Sequence, residues 1–418
     1  MSLRIRVPKL SFDVSTTLFA LYLITSAMVY YGNGDSMGTI QLCLSLLTIG
    51  IYFRHKRIIK VIPWLLLTMF VLILFLFSGQ MSARGFNAPI KHVLKFVHVL
   101  YAFTAFIFIR YIAKEGERRF FVISMLFVTA LSCFRSLSLV LSSGNAYAIR
   151  YASRYGYESD AVGFYQMYAI PFYVVIVFYL LKNIEPKKLM HTILLIGVLA
   201  SYLYLTAIAL FTTALILTMI GILLFYFFRV LRGNKLVLLI GGIAIFIFLF
   251  FVIIIFPTQT MDIFVNSTQN LNYVIRNRLL YVAERILNVS AGISYNYGRR
   301  EELASYSLQT FNDHPLFGVG YSGYGYGVIG CHQEWYDMLG VFGLIGSILV
   351  FAVLIKLFVN IYKDPGNRDE KDLYIILIIM FVLLGFLNPC LSDPLLIALF
   401  VVVPNLKYLT RPAGGDQV

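Results

Sequence analysis

The chain has 418 residues, 60% of them hydrophobic and only 13% charged, with a mean hydropathy of +0.81 and a formal net charge of +14. That composition excludes a soluble globular domain. The basic residues recur between apolar runs, so the charge reflects topology and contact with anionic lipid headgroups, and nucleic-acid binding is excluded as its cause.

Apolar runs long enough to cross a hydrocarbon core of about 30 Å as helices recur from end to end. They lie near residues 14–31, 37–53, 61–78, 94–112, 120–141, 161–181, 189–206, 208–228, 235–256, 340–361, 373–388 and 393–410. The expected fold class is therefore an all-α polytopic membrane protein with about 12 spans. Arg4, Arg6 and Lys9 precede a first run long enough to remain as a span, with no small-residue cleavage site, so no cleavable signal peptide is expected. Between Leu189 and Phe228 no charged residue intervenes, and the division into two spans needs a tight reversal, expected near Leu205-Thr206-Ala207.

Lys and Arg in short loops stay on the cytoplasmic side. With the N-terminus inside, that side receives Arg54, Lys56 and Arg57; Lys114, Arg118 and Arg119; Lys182, Lys187 and Lys188; Arg229 and Arg232; Lys363, Arg368 and Lys371; and Lys407 and Arg411. One miscounted span in the middle would put the later basic loops on the wrong side. Both termini are accordingly expected in the cytoplasm.

Two outer loops are long. The first, near residues 142–160, carries Arg150 and Arg154 among tyrosines, and the second, 257–339, is the largest segment outside the membrane. The chain thus divides into an N-terminal bundle (1–256, about nine spans), a large outer loop (257–339) and three final spans with a short tail (340–418). Within the large loop, Asn277 to Asn288 has the apolar spacing of an amphipathic helix. A second helix is expected from Arg299 or Arg300 to Asn312, with Glu301 and Glu302 favoured by the macrodipole, ending before Pro315. A tyrosine-studded, glycine-rich turn follows from Gly318 to Gly327.

Titratable side chains and glycines gather in one place: Asp313-His314-Pro315-Leu316-Phe317-Gly318-Val319-Gly320, then His332-Gln333, then Gly343-Leu344-Ile345-Gly346. An imidazole with a pKa near neutrality suits removal of a proton from a hydroxyl, and His332 is the candidate for it, with the Gln333 amide beside it to hold an orientation. An interfacial histidine satisfied by backbone is the plain alternative. His314, at a helix end before proline, reads as structural, its side chain capping the last-turn carbonyls. Arginines on the outer side run against the topological rule, and guanidinium suits bidentate phosphate binding, which makes Arg150, Arg154, Arg299 and Arg300 candidates. Most such arginines merely solvate loops or bind headgroups.

No His/Cys/carboxylate spacing suggests a zinc site and no Walker-type loop appears, so neither metal nor cofactor is expected. The glycines from Gly318 follow no strand of a βαβ unit, so they are not a dinucleotide fingerprint. Acidic residues in mid-span, common in proton-coupled transporters, are nearly absent. Cys331 and Cys390 fall on the same side in this topology, and a pairing between them is left open.

The stretch from Gly298-Arg299-Arg300 through Phe311-Asn312-Asp313-His314-Pro315-Leu316-Phe317-Gly318-Val319-Gly320 to His332-Gln333 and Gly343-Leu344-Ile345-Gly346 resembles the signature of the O-antigen ligase and Wzy-type O-antigen polymerase superfamily. The match is close over about 50 residues, and the span layout extends it loosely. The resemblance implies a metal-independent, inverting glycosyltransferase of the bacterial inner membrane, with undecaprenyl-diphosphate-linked oligosaccharides as donor and acceptor and a chain-length regulator as a further partner. It gives His332 the role of activating the acceptor hydroxyl and Arg300 that of binding diphosphate. A second phosphate-binding arginine falls on Arg154 or Arg150. Three features depart from the pattern: Arg299-Arg300 is doubled, so either residue fits; Gln333 stands where asparagine is common; and the region from Leu205 to Leu215 lacks a serine-arginine pair often found there. His314, Gln333, Gly318 and Gly320 are its supporting residues. A polymerase joining repeat units is favoured by the tyrosine-rich outer loops. A ligase acting on lipid A core and, from another class, a flippase for the same lipid-linked glycan are the alternatives.

Overall fold

In the computed structural model, the described residues are 106, 110, 113, 115–143, 164–184, 189–209, 211–232, 257–269, 276–277, 279–280, 283–284, 298–319, 328–330, 332–363 and 367–410, and among these the chain is helical with no strand. The expected spans at 14–31, 37–53, 61–78 and 235–256, nearly all of 94–112, the outer loop with Arg150 and Arg154, and the tyrosine turn at 320–327 lie outside the described residues.

In chain order the elements are α1 (Glu115–Ser143), α2 (Phe164–Asn183), α3 (Leu189–Ile208), α4 (Thr212–Arg232), α5 (Pro257–Ser267), α6 (Gly298–Asp313), α7 (Glu334–Tyr362) and α8 (Arg368–Leu387). The chain then runs through α9 (Asp393–Ile397), a π-helical turn (Ala398–Val402), α10 (Val403–Asn405) and α11 (Lys407–Thr410). Five helices, α1, α2, α3, α4 and α7, are long and apolar enough to cross a membrane. The protein is therefore a helical membrane protein.

Among the described span-length helices α2 is the most deeply buried. Phe172, Val174, Val175, Ile176 and Tyr179 are buried on all its sides, and it packs against α3, α4, α8 and α9. By contrast α3 leaves Leu189, Met190, Ile193, Leu194 and Ile196 exposed, an apolar outer face for lipid. The reversal between α3 and α4 falls at residues 209–211, later than expected: Leu205 and Thr206 are buried helical residues. The Thr206 hydroxyl returns its proton to the Tyr202 carbonyl at 2.7 Å, which lets a polar side chain remain in the helix interior. Thr129, Ser132, Ser136 and Thr218 do the same one turn back along their helices.

The π-helical turn has a local cause. The Pro404 ring, which lacks an N–H and crowds the Phe400 carbonyl, opens the turn, and the Val403 N–H donates to the Ala398 carbonyl five residues back instead of to Leu399.

The helix ends sort into two groups. At one end, Lys182 of α2 pairs with Asp369 of α8 at 2.8 Å, Tyr179 donates to Glu370, and Arg118 of α1 donates to the Tyr408 hydroxyl at 2.7 Å. At the other, the Tyr168 hydroxyl donates to Asn388 Oδ1 at 3.0 Å, and Asn388 Nδ2 donates to Thr213 Oγ1 at 2.9 Å, tying together the starts of α2 and α4 and the end of α8. The ends bearing Lys182, Arg118 and Lys407 thus belong to one side of the bundle, as the alternation of basic loops requires.

α7 is two helices joined at Gly343, whose φ of 63° and ψ of −168° lie where essentially only glycine is found. The break frees N–H groups that the membrane cannot satisfy. The turn after α6 supplies their acceptors, the Leu344 and Ile345 N–H groups donating to the Pro315 and Leu316 carbonyls at 2.7 and 3.1 Å, while in the opposite sense the Val319 N–H donates to the Gly340 carbonyl at 3.1 Å. A Cβ on Gly343 would lie 2.5 Å from the Gly318 nitrogen and from the Leu316 carbonyl carbon. Gly318, at φ 66°, is equally constrained, a Cβ there lying 2.4 Å from the Val341 carbonyl oxygen.

Gly343→Ala is expected to cost about 2–4 kcal/mol from strain plus overlap. Gly197→Ala, in α3 where a Cβ meets nothing within 4 Å, gains helix propensity and is expected to be neutral or stabilising. Thermal unfolding in detergent checks the contrast, and equal midpoints for the two variants would contradict it.

Candidate functional site

The site is assembled on α6 and the first turn of α7. α6 begins at Gly298 and ends at Asp313, a residue or two beyond the expected bounds at each end, and its Leu303, Ser307 and Thr310 form a buried stripe at helical spacing. This stripe packs on α7 and on residues 328–330. Thr310 Oγ1 donates to the Val328 carbonyl at 2.6 Å, and a Cβ on Gly330 would lie 2.2 Å from the Leu303 carbonyl oxygen, so only glycine admits that approach.

Ser307 and Asp337 are the joint. The buried Ser307 hydroxyl donates to Asp337 Oδ1 at 2.6 Å and accepts from the Gly330 N–H at 2.9 Å. Asp337 Oδ2 accepts from the Gln333 N–H at 3.1 Å. Positions 330 and 333 are therefore both fixed to the same Ser–Asp pair, and the half-buried His332 stands between them. Its backbone has little freedom to move relative to α6.

The other acidic residue of this turn, Glu334, reaches in a different direction. Its Oε2 accepts from the Cys390 and Leu391 N–H groups at 2.9 and 3.2 Å, attaching the turn between α8 and α9 to the start of α7. Both carboxylates lie in the first turn of α7, where the macrodipole favours them. Trp335, next in sequence, donates to the Val382 carbonyl at 2.8 Å and lies over Gly385, where a Cβ would come within 2.1 Å of the indole.

Gln333 caps α7 with extended backbone and no side-chain cap bond. Its amide oxygen is buried with no hydrogen-bond partner among the described residues. A buried acceptor left open beside the candidate base is an unusual expense in a folded protein.

The remaining sequence candidates are placed as follows. The His314 side chain, expected to cap the last-turn carbonyls, is exposed; the residue's N–H donates to the Thr310 carbonyl and its carbonyl accepts from the Gly318 N–H. Arg299 and Arg300 belong to the first turn of α6, Arg300 two turns or about 10 Å along the axis from Ser307; their side chains lie outside the described residues. Arg150, Arg154 and Gly320 lie wholly outside them. Cys390 is a free, buried thiol, so no bond to Cys331 is formed, and burial followed by the neighbouring Glu334 pushes the thiol well above its ordinary pKa.

Ser307, Glu334 and Asp337 had not been singled out in the sequence. Glu334 and Asp337 carry a signal, two acids three residues apart immediately before an apolar run, a pattern that marks the N-terminal turn of a helix, whereas Ser307 carries none.

Asp337→Ala orphans the Ser307 hydroxyl and the Gln333 N–H and is expected to cost about 2–4 kcal/mol. Asp337→Asn retains one acceptor and is expected to cost less than half of that. Unfolding midpoints of the two variants in detergent test the order, and it fails if Asn is as damaging as Ala.

Neither the protein-family models nor the curated proteins contain a match to the chain.

Proposed function

We infer that the protein is a membrane glycosyltransferase that joins undecaprenyl-diphosphate-linked repeat units into a surface polysaccharide, with His332 as the base. The observation that carries this reading is the setting of His332. It occupies the entry to a membrane helix, its flanking residues are fixed by Ser307 and Asp337, and the adjacent Gln333 amide oxygen has no hydrogen-bond partner among the described residues. Together with the arginines and the glycine pattern of the large loop, that setting suits deprotonation of a sugar hydroxyl at a membrane surface.

The chemistry balances without a metal. The imidazole takes the proton of the acceptor hydroxyl as its oxygen bonds to the anomeric carbon, the bond from that carbon to the diphosphate oxygen breaks, and polyprenyl diphosphate leaves. Attack opposite the leaving group inverts the anomeric centre. Guanidinium groups of Arg300 or Arg299, and of Arg154 or Arg150, neutralise the charge that develops on the diphosphate. The donor's isoprenoid stays in the bilayer, in the inner membrane of a bacterium, and a chain-length regulator is a natural partner of such an enzyme.

A ligase that transfers the finished chain to lipid A core uses the same groups and differs in its acceptor. Deletion with glycan profiling separates the two: loss of a polymerase leaves single repeat units on the acceptor, whereas loss of a ligase leaves long chains on the lipid carrier. His332→Ala is expected to abolish product by at least about 100-fold, the scale of general-base catalysis, while donor binding and the unfolding midpoint are retained. Normal chain-length distribution in that variant would refute the assignment, and would leave a flippase as the better reading.

A further inference from the structure

Among the described residues of the large loop, the turn after α6 exposes an apolar pair. Leu316 and Phe317 are 55% and 71% exposed, and Pro315 beside them is exposed as well. In water such a pair gains nothing from its position. Two independent features of α7 fix where the pair stands.

The first is depth. From Leu344 to Tyr362 the second half of α7 rises about 27 Å at 1.5 Å per residue, close to the roughly 30 Å of a hydrocarbon core. Lys363 follows at one end, and the Gly343 break stands at the other. Leu344 and Ile345 accordingly mark the level where hydrocarbon gives way to headgroups, and their N–H groups are bonded to Pro315 and Leu316. The turn is at the same level.

The second is continuity. The outward face of α7 runs Ile345, Ile348, Ala352, Ile355 and Val359 at helical spacing, exposed throughout. Lys356, beside this stripe, is about 9 Å from Tyr362, within reach of the headgroups by its flexible stem. The stripe is the membrane face of a membrane helix, and Leu316 is hydrogen-bonded to its uppermost member.

We propose that the Pro315-Leu316-Phe317 turn is a membrane anchor whose side chains enter the hydrocarbon edge of the leaflet on the His332 side. Its backbone carbonyls cap the broken span and its side chains occupy lipid, so one tripeptide fixes both the kink and the height of α6 above the bilayer. Polar residues lead into it, with Asn312, Asp313 and His314 exposed just before it. This gives the turn the sharp polar-to-apolar boundary of an interfacial element. The placement holds whether or not His332 is a catalytic base.

The test uses the full chain in lipid nanodiscs, in a background without native cysteines, with spin labels at Leu316→Cys, Phe317→Cys, Ile355→Cys as the lipid reference and Asn312→Cys as the aqueous one. The ratio of oxygen to nickel-chelate accessibility at 316 and 317 is expected to be several-fold above that at 312 and to approach that at 355. A ratio equal to that at 312 overturns the proposal, and so does protection from both reagents, which would mean that protein covers the turn. Should labelling disturb the turn, Phe317→Trp gives a second reading as the difference from the parent protein. Its added fluorescence is expected to be quenched by phospholipids brominated near the glycerol end of the chains, and quenching by aqueous iodide instead overturns the proposal.

Discussion

A bilayer offers no water to a backbone N–H, so a helix broken inside or at the edge of a membrane must find acceptors within the protein. That constraint governs the join between the turn after α6 and α7. α7 breaks at Gly343, and the Leu344 and Ile345 N–H groups are satisfied by the Pro315 and Leu316 carbonyls. The requirement is mutual. The loop cannot hold its shape without the broken helix to bind, and the break is tolerable only with the loop in place. It also accounts for two glycines with positive φ facing each other, since Gly318 and Gly343 each stand where a Cβ would meet the other segment's backbone.

The break has a consequence for the half of α7 before it. Freed from the direction of the span, Glu334 to Phe342 packs along α6, and its two acidic residues act as acceptors for three segments: α6 through Ser307, the turn before α7 through Gln333, and the α8–α9 turn through Cys390 and Leu391. The opposite end of the bundle is held differently. Lys182–Asp369 is a partly exposed ion pair, the kind that contributes little and weakens in salt. At the His332 end the polar groups are buried and each lost partner leaves an orphan, so geometry there is strongly specified.

Much of this was legible in the chain. Hydrophobic length points to five helices long and apolar enough to cross a membrane, α1, α2, α3, α4 and α7, whereas the expected spans at 373–388 and 393–410 are not among them; Glu301, Glu302 and Pro315 mark the ends of α6 to within a residue or two. The misses have physical causes. α7 starts at Glu334, six residues before the expected span, because Gln333-Glu334-Trp335-Tyr336-Asp337 is too polar to register as membrane although it is helical. The α3–α4 reversal was misplaced because Thr206 hides its hydroxyl in its own helix and so carries no turn signal. The glycines at 318 and 343 were visible as a pattern, but their facing each other across 25 residues is a matter of tertiary contact. The same holds for Ser307 and Asp337, each unremarkable until the other is beside it.

The height of His332 connects the fold to the proposed chemistry. Glu334 to Phe342 rises about 12 Å if it stands upright and less if it tilts, and His332 precedes it by two residues of non-helical chain. The imidazole is therefore at most about 20 Å above the hydrocarbon edge marked by Leu344, whereas the headgroup layer is about 5–8 Å deep. A lipid-linked glycan fills this interval in a fixed order: isoprenoid in the hydrocarbon, diphosphate among the headgroups, first sugars above them. In the proposed mechanism, a base that acts on a sugar hydroxyl belongs in the upper part of the interval. An enzyme of this kind gains from an element that keeps its loop from rising or sinking, because a displacement of one sugar length would bring the wrong hydroxyl to the base. The Leu316-Phe317 turn, bonded to the first residues of the span, is the part of the loop with the position and the side chains to hold that height.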